Sequence, residues 1–396
     1  MKNTHKEKIR AALAQHPHRK VLLITPDATR SHSYAGEITR FLWEMLKGKS
    51  EVVVMPALGT HKPMTERECK AFLGVPYHLI RHHDWRRDVE QIGEIPVDFF
   101  VNECYKLTEH GFFNKPLSVE VNRELLDPSY DLIISIGQVV PHEVAGMANY
   151  SKNIFVGVGG SHMIHGSHIL GALSDIEKTM GRIDTPVRRL FDYAETHFAP
   201  RLPLLYIMTV TSQTKSGTVL EDLFIGRERE VFTEAARLSQ QRNITYLDKP
   251  LHRCIVNLAA DEYKSTWLGN KAIYRTRMAM ADGGEIIIIA PGIERFGEDE
   301  VIDKLIRRHG YSGREKIIEL VTKYGQMREN LAAAAHLIHG SSEGRFTVIY
   351  ATSHLSRAEI EAVGFRHMSI AEARRLEGDL TIDNPAAGLW VCGQML

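Results

Sequence analysis

Short apolar runs, each followed by a polar or glycine-containing turn, constrain the fold of this chain more than any other feature of its sequence. Residues 21–25, 132–136, 154–158 and 204–210 form such runs, without the alternation expected of a half-exposed strand. A helical spacing of apolar residues over 36–48 follows the first run. The pattern predicts an α/β fold with mainly parallel sheets, whose ligands bind beyond the carboxyl ends of the strands.

The length of the chain predicts two domains, because 396 residues exceed what one ordinary core accommodates. The rhythm of strands and helices restarts toward the C-terminal end, with a helix expected over residues 270–281 that ends at Gly283 and Gly284. We therefore predict an N-terminal α/β domain over residues 1–260 and a C-terminal α/β domain over residues 261–396. The active site is expected in the cleft between them.

Charge and composition exclude several classes of partner. Lys plus Arg and Asp plus Glu both number 49, so the formal charge is zero and no basic surface for nucleic acid is predicted. The apolar runs are far shorter than the roughly 18 residues of a membrane span, so neither a signal peptide nor a membrane segment is expected. Cys69, Cys104, Cys254 and Cys392 form no CxxC pair, which predicts reduced thiols and a cytoplasmic protein.

Polar residues follow each of the first two predicted strands. After the first strand, Arg30 can bind a carboxylate or phosphate with two hydrogen bonds, while Asp27 and Thr29 can fix the loop or bind a ribose hydroxyl. The alternative is a helix-entry loop with a solvated arginine. A second strand is predicted over residues 51–58. After it, Gly59 allows a tight turn that exposes His61 where a general base would lie, although a surface histidine is the simpler interpretation.

The segment after the strand at residues 132–136 contains a histidine and a lysine. Pro141 suits the first position of a short helix, which would place His142 in its first turn. The positive end of the helix dipole then favours the neutral imidazole that a proton acceptor requires. Lys152 lies ten residues further on and reaches the same ligand only if the segment folds back; otherwise it is a surface lysine.

Two further candidates lie later in the chain. His162, His165 and His168 are spaced like metal ligands, but a helix turns the first and third about 120° apart and a strand points the middle one away. One ligand is therefore favoured, and a three-histidine zinc site remains the alternative. Lys271 begins a predicted helix, where it either directs a charge into the interdomain cleft or is solvated.

Taken together and in this order, the motifs resemble those of the nickel-pincer-nucleotide lactate racemase family. The resemblance extends over about residues 20 to 365, and it depends on joint spacing rather than on any single motif. It rests on the segments 27–30, 59–63 and 141–146, on the ten-residue step from His142 to Lys152 and the sixteen-residue step from Lys152 to His168, and on Asn270-Lys271-Ala272 before Gly283-Gly284.

The resemblance implies a cofactor. In the family, a modified pyridinium nucleotide with two sulfur-containing arms and a carbon-bound nickel is tethered to a lysine that corresponds to Lys152. The remaining nickel ligand is a histidine that corresponds to His168, and imidazole is a suitable donor. Other proteins mature the cofactor, so maturation enzymes are implied partners and an ordinary expression host can yield the bare chain.

The resemblance also implies a reaction, the inversion of the C2 centre of a 2-hydroxy acid by hydride transfer to the cofactor. His61 and His142 correspond to the acid/base groups on opposite faces of the substrate. Arg30 and Lys271 correspond to residues near the anionic groups of substrate or cofactor, and Asp27 and Thr29 organise the first loop and bind the cofactor. The enzyme class implied is an isomerase, a racemase or epimerase.

Three departures from the family pattern bear on the substrate. Asn149-Tyr150-Ser151 stand where Gly-Gly-Arg commonly precedes the tether lysine, Lys62 replaces an arginine, and Leu268 replaces a glutamine. They favour another 2-hydroxy acid over lactate, such as a larger or sugar-derived one. Two alternatives stay open at this point, a zinc hydrolase that uses the histidine cluster and a binding protein that keeps the fold without turnover.

Overall fold

The computed structural model describes residues 1–103, 111–214, 216–383 and 388–391, so Cys104 and Cys392 lie outside the described residues. The chain forms two compact units, and residue 260, the predicted boundary, lies inside the second; that boundary stays a prediction. Unit 1 comprises Met1–Glu103, Phe113–Ser167 and Ile183–Arg242, and unit 2 comprises the described parts of Cys104–Phe112, His168–Arg182 and Asn243–Leu396.

Strands and helices alternate through the first 243 residues. Apolar runs form the strands, and apolar residues at helical spacing form the helices that cover them. In chain order, the elements are α1 (Asn3–Leu13), β1 (Lys20–Thr25), α2 (Ala35–Leu46), β2 (Glu51–Pro56), α3 (Glu66–Phe72), β3 (Val89–Ile95), α4 (Val97–Glu103), β4 (Leu117–Asn122), β5 (Leu132–Gln138), β6 (Pro141–His142), β7 (Gly146–Met147), α5 (Ser161–Leu173), α6 (Pro186–Phe198), β8 (Leu204–Thr214), β9 (Gly217–Gly226) and α7 (Arg229–Asn243).

The sheet of unit 1 has five strands in the order β2-β1-β5-β8-β9, and only the pair β8–β9 is antiparallel. Val21, Leu22, Leu23 and Ile24 of β1 are fully buried, as expected of a central strand covered on both faces. Because β2, β1 and β5 are parallel neighbours, their carboxyl ends meet at one edge of the sheet. The loops that carry the candidate residues therefore emerge side by side.

Unit 2 contains a second sheet, in which five parallel strands take the order β14-β13-β12-β11-β15. The mainly parallel α/β fold predicted from the sequence is thus confirmed in both sheets. In chain order, the elements are β10 (Ile244–Leu247), β11 (Leu251–Asn257), α8 (Thr266–Gly269), α9 (Lys271–Thr276), β12 (Met280–Ile289), α10 (Glu300–His309), α11 (Arg314–Lys323), α12 (Gly325–Glu329), α13 (Leu331–Gly340), β13 (Thr347–Ala351), α14 (Arg357–Ala362), β14 (Arg366–Met368), α15 (Ile370–Ala373), β15 (Leu380–Asp383) and β16 (Gly388–Val391).

The prediction of one helix over residues 270–281 is wrong in its second half. The helix α9 ends at Thr276, a 3-10 turn covers Arg277–Ala279, and β12 already begins at Met280. Gly283 does not stop a helix; it lies inside β12 with a φ of 77°, where the pairing between β11 and β12 shifts. Glycine fits this irregularity because a left-handed residue breaks the strand register at little steric cost.

The predicted strand at residues 154–158 is also wrong, because the π-helix Asn153–Gly157 occupies this segment. The amide of Val158 donates to the carbonyl of Asn153, which is the wide turn of a π-helix. The Asn153 side chain lies 3.4 Å from both the Ser135 hydroxyl and the Ile136 carbonyl of β5. A short apolar run does not distinguish a buried strand from a buried helical turn.

Two predictions from composition can be compared with the described residues. Within them, no helix combines the length and the apolar character that crossing a bilayer requires. Cys69 and Cys254 are both buried and carry free thiols, as the absence of paired cysteines predicted.

Candidate active site at the carboxyl edge of the first sheet

The loop after β1 is organised by Asp27. Its carboxylate accepts hydrogen bonds from the Thr29 amide, at 2.8 Å, and from the Thr29 hydroxyl. Asp27 is thereby the N-cap of the 3-10 helix Ala28–Ser33, within which Arg30 leaves helical geometry at φ −103° and ψ 35°. A short polar side chain that caps its own loop forms an Asx turn, so this loop is the entry to a helical turn, as one of the two interpretations of the sequence expected.

The loop after β2 brings His61 to Asp27. Gly59 takes a φ of 53°, and its amide donates to the carbonyl of Gly157 at 2.8 Å, which fixes the turn. His61 Nδ1 lies 2.6 Å from Asp27 Oδ2, and 49% of the His61 side chain is exposed. The two residues form a carboxylate–imidazole pair across adjacent strands.

The ionised Asp27 carboxylate fixes the tautomer of the His61 imidazole. Burial alone would raise the pKa of the Asp27 carboxyl, but hydrogen bonds and charge from His61, together with the Thr29 hydrogen bonds, outweigh it and lower that pKa to about 2. Asp27 is therefore ionised, and His61 donates its Nδ1 proton to it. The lone pair of a neutral His61 then lies on Nε2, the nitrogen that acts as the base in such dyads.

His142 lies in a hairpin and not in the predicted helical turn, so that prediction is wrong. The strands β6 and β7 pair Pro141 with Met147 and His142 with Gly146. The φ of Gly146 is 79°, a left-handed value that lets the chain reverse its direction. Gly146 is the residue that permits this reversal, because it has no side chain to clash.

The hairpin nevertheless gives His142 the neutral form that the prediction required. The backbone amides of Val144 and Ala145 donate to His142 Nδ1 at 3.1 and 3.3 Å. A ring nitrogen that accepts from two N–H groups cannot itself carry a proton, so the neutral ring is protonated on Nε2. His61 thus offers a lone pair at Nε2 and His142 a proton at Nε2.

Lys152 is not the solvated surface lysine of the alternative interpretation. It directly precedes the π-helix and is partly buried. Burial, followed by the positive charge of Arg30, lowers its pKa to about 8; Glu143 opposes this shift and Arg188 adds to it. Arg30 and Lys152 come from the loops after β1 and β5, so the sheet edge brings two cations together. With a pKa of about 8, the Lys152 amine is partly neutral at physiological pH.

The backbone before Lys152 is strained. Asn149 and Tyr150 have φ values of 69° and 59°, a left-handed conformation that costs a residue with a side chain about 1–2 kcal/mol. Glycine, which the resemblance to the lactate racemase family leads one to expect at these two positions, would adopt this backbone without a side-chain clash. The Tyr150 hydroxyl donates to the Arg227 carbonyl at 2.6 Å and its ring packs on Phe232, which offsets the strain.

The three histidines of α5 do not form a metal site. His162 pairs with Glu120 at 3.1 Å, and His165 packs edge-on against Trp85, where burial lowers its pKa. Among the residues that the structure describes, no group of three or more His, Cys, Asp or Glu side chains is placed to hold a metal ion. His168 lies further along the same helix and belongs to unit 2.

Lys271 also belongs to unit 2, where it is the first residue of α9. The residue before it is fixed, because the buried Asn270 side chain accepts a hydrogen bond from the Tyr350 hydroxyl at 2.6 Å. Leu268, on the preceding turn α8, is partly buried. The position of Lys271 is therefore set by a buried polar contact.

One residue of this site was missed by the sequence analysis. Arg188 is fully buried in the first turn of α6, and its guanidinium contacts the segment that leads to Lys152. A signal was present in the sequence, because Arg188 and Phe191 are three residues apart on a helix and must share a face. An arginine on an apolar face is a functional candidate, because burying its charge must be offset by specific contacts.

Comparisons with known proteins bear on the family and the fold of the chain. Residues 2–181 match the family model described as the lactate racemase N-terminal domain. No curated protein matches the chain. A crystal structure from Thermotoga maritima is 25% identical with a TM-score of 0.83, over 98% of this chain and 97% of that chain. The lactate racemase apoprotein of Thermoanaerobacterium thermosaccharolyticum is 17% identical with a TM-score of 0.71, over 97% of this chain and 92% of that chain. The chain therefore has the fold of lactate racemase, and the match over residues 2–181 supports its relationship to that family.

Proposed function

We propose that this protein is a racemase or epimerase that inverts the C2 centre of a 2-hydroxy acid. The observation that carries the proposal is the sheet edge at which the Asp27–His61 pair, Arg30 and a partly neutral Lys152 meet. A carboxylate-oriented imidazole suits removal of a hydroxyl proton, and a cation suits the substrate carboxylate. The lactate racemase fold supports the same reaction class.

We further propose that the nickel-pincer nucleotide of the family is the cofactor, tethered to Lys152. The residues fit this group, because a lysine with a lowered pKa is the amine that forms a covalent bond near neutral pH. His168 supplies the nickel ligand, and since only one protein donor is needed, the lack of a three-donor cluster among the described residues is compatible with it. When bound, the group supplies the hydride acceptor.

The two histidines handle the proton of the substrate hydroxyl. His61 accepts it at Nε2, and Asp27 stabilises the imidazolium that results. In this proposal His142 donates a hydrogen bond from Nε2 to the substrate oxygen, because its Nδ1 accepts from the Val144 and Ala145 amides. To accept the hydroxyl proton at Nε2 instead, His142 must carry its own proton on Nδ1 and lose the hydrogen bonds from the Val144 and Ala145 amides. The two histidines are therefore unequal bases.

Two cations bind the substrate in this proposal. Arg30 grips a carboxylate with two hydrogen bonds, and Lys271 contributes a point charge. Leu268 and Lys62 occupy positions where the family has glutamine and arginine, so the groups that would hydrogen-bond lactate differ. We therefore propose a larger or sugar-derived 2-hydroxy acid as the substrate. The cytoplasmic location, the need for maturation enzymes and the exclusion of nucleic acid stay predictions.

The test uses the full chain produced together with the cofactor-maturation enzymes. A panel of single-enantiomer 2-hydroxy acids is followed by polarimetry, and at least one should lose its optical rotation. His61→Asn and His142→Asn should each abolish this loss, whereas His197→Asn, which changes an exposed histidine of α6 stacked on Tyr193, should not. Binding of an acid without loss of rotation would instead identify a non-catalytic relative, and hydrolysis with bound zinc would identify the hydrolase alternative.

A further inference from the structure

Arg188 is a buried cation that no carboxylate contacts among the described residues. Burial lowers its pKa to about 10, and the charge of Asp192, four residues further along α6, opposes that shift. Its side chain is fully buried, and among the described residues no Asp or Glu oxygen lies within 4.0 Å of its guanidinium. The guanidinium instead lies over the ring of Phe232, at 4.4 Å from the centroid. A buried charge that no carboxylate contacts destabilises a fold. The hydrogen bonds of Arg188 show which segment of the chain it holds in place.

All three hydrogen bonds of the guanidinium go to the segment just before Lys152. Nη2 donates to the carbonyls of Met147, at 2.7 Å, and Asn149, at 3.2 Å, and Nη1 donates to the Ser151 hydroxyl at 3.1 Å. Met147 and Ser151 lie on either side of the left-handed pair Asn149 and Tyr150, and the Asn149 carbonyl belongs to the pair itself. The planar guanidinium has N–H donors in fixed directions, so it can hold several backbone carbonyls in one arrangement. The ammonium group of a lysine cannot do this.

The start of α6 is tied to the same segment. Thr185, the N-cap residue of the helix, accepts a hydrogen bond from the Arg188 amide at 3.1 Å and donates one to the Ala145 carbonyl at 3.2 Å. The helix that carries Arg188 is therefore anchored to the hairpin that carries His142. One helix terminus thus holds both the hairpin and the strained turn.

We propose that Arg188 is a positioning residue that fixes residues 147–151 in the conformation that presents the Lys152 amine. The inference rests on the tether role of Lys152 in the proposed function. The positive charge of Arg188 has a second effect, because it disfavours the ammonium form of Lys152. Arg188 thereby contributes both the geometry and the protonation state of the amine.

The experiment compares the purified full chain, made without cofactor, with three variants. Arg188→Gln removes both the guanidinium and its charge. Arg188→Lys keeps the charge but loses the fixed donors of the guanidinium. Arg189→Gln is the matched control, because Arg189 is the next residue of α6 and binds Glu103 and Asp184 instead. Acetylation of Lys152 is measured across a pH range that brackets 8 and 10.5, with peptide mass spectrometry to identify the site. Amide hydrogen exchange is measured over residues 146–152.

Arg188→Gln should raise the midpoint of Lys152 acetylation and accelerate exchange over residues 146–152. A rise of the Lys152 pKa from about 8 to about 9 lowers the neutral fraction at pH 8 about fivefold. Arg188→Lys should accelerate exchange while keeping the midpoint close to that of the wild type, and Arg189→Gln should change neither. If Arg188→Gln does not fold, Arg188→Lys decides the question. Folded Arg188 variants with wild-type exchange, or an equal effect of Arg189→Gln, overturn the inference.

These readouts separate this inference from the proposed function. If the matured chain never carries an adduct on Lys152, the proposed function fails, although the effects of Arg188 on exchange and acetylation can still be observed. If a folded Arg188→Gln chain acquires the adduct at the wild-type rate and level, the proposed function stands and the inference about Arg188 fails.

Discussion

At the scale of single residues, the Asp27–His61 pair is the centre of the proposed proton chemistry. The carboxylate is buried and ionised, while the imidazole is half exposed with Nδ1 held at 2.6 Å. Asp27→Asn preserves the shape but lets the amide favour the opposite tautomer. We expect turnover of the matured enzyme to fall by about 10²–10⁴-fold, with a smaller change in KM. Steady-state kinetics would contradict the pair's role if both parameters stayed at wild-type values.

Asp27 also makes stability depend on pH. Its folded-state pKa of about 2 lies below the ordinary value of 3.8, so its contribution is fully present above pH 3.8 and is lost as the pH falls through 2. The difference corresponds to about 2 kcal/mol. Denaturant titrations at stepwise lower pH should show this loss in the wild type and not in Asp27→Asn. Parallel acid profiles for the two chains would contradict the lowered pKa.

The sequence predicted both members of this pair but not their contact. Asp27 and His61 are 34 residues apart, and only the adjacency of β1 and β2 in the sheet brings them together. For His142 the neutral form was expected from a helix dipole, and it arises instead from two backbone amides. Hydrogen bonds from a tight hairpin have no periodic signature in a sequence.

At the scale of elements, the turn after β2 can be separated from the helix that follows it. Gly59→Ala forces a side chain into a φ of 53°, and Thr65→Ala removes the capping box that Thr65 and Glu68 form at α3. Each should lower the free energy of unfolding by about 1 kcal/mol. Only Gly59→Ala should also lower turnover, because it displaces His61. Equal kinetics of the two variants would contradict this assignment.

The strained turn before Lys152 gives a prediction of the opposite sign. Asn149 has a φ of 69°, and neither polar atom of its buried side chain has a hydrogen-bond partner within the described part of the chain. Asn149→Gly relieves the backbone strain and removes the unsatisfied amide. We expect the free energy of unfolding of the cofactor-free chain to rise by about 1 kcal/mol. Chemical denaturation measures the change, and a decrease would show that the amide has a stabilising role.

Elements with irregular backbones were the ones that sequence patterns failed to predict. The regular strand β1 and the helix α2 follow from apolar periodicity, with bounds close to those expected. The π-helix Asn153–Gly157 and the irregular start of β12 do not, because a wide helical turn and a bulge both interrupt the periods on which such predictions depend.

At the scale of the whole molecule, the order β2-β1-β5 explains why three distant loops share one sheet edge. Parallel α/β architecture was predictable from the buried apolar runs. The composition of the two units was not, since His168–Arg182 belongs to unit 2 although the flanking residues belong to unit 1. Because each unit consists of three separate stretches of chain, the chain crosses between the units five times and leaves no single boundary for a change of composition to mark.

The most direct test of the proposed function is peptide mass spectrometry with metal analysis of the chain produced alongside the maturation enzymes. We predict that the wild-type chain carries nickel and a nucleotide-derived adduct on Lys152. The Lys152→Ala chain should have neither the adduct nor racemase activity. Racemase activity in Lys152→Ala, an adduct on a different lysine, or a wild-type chain that carries zinc and no adduct would contradict the proposed function.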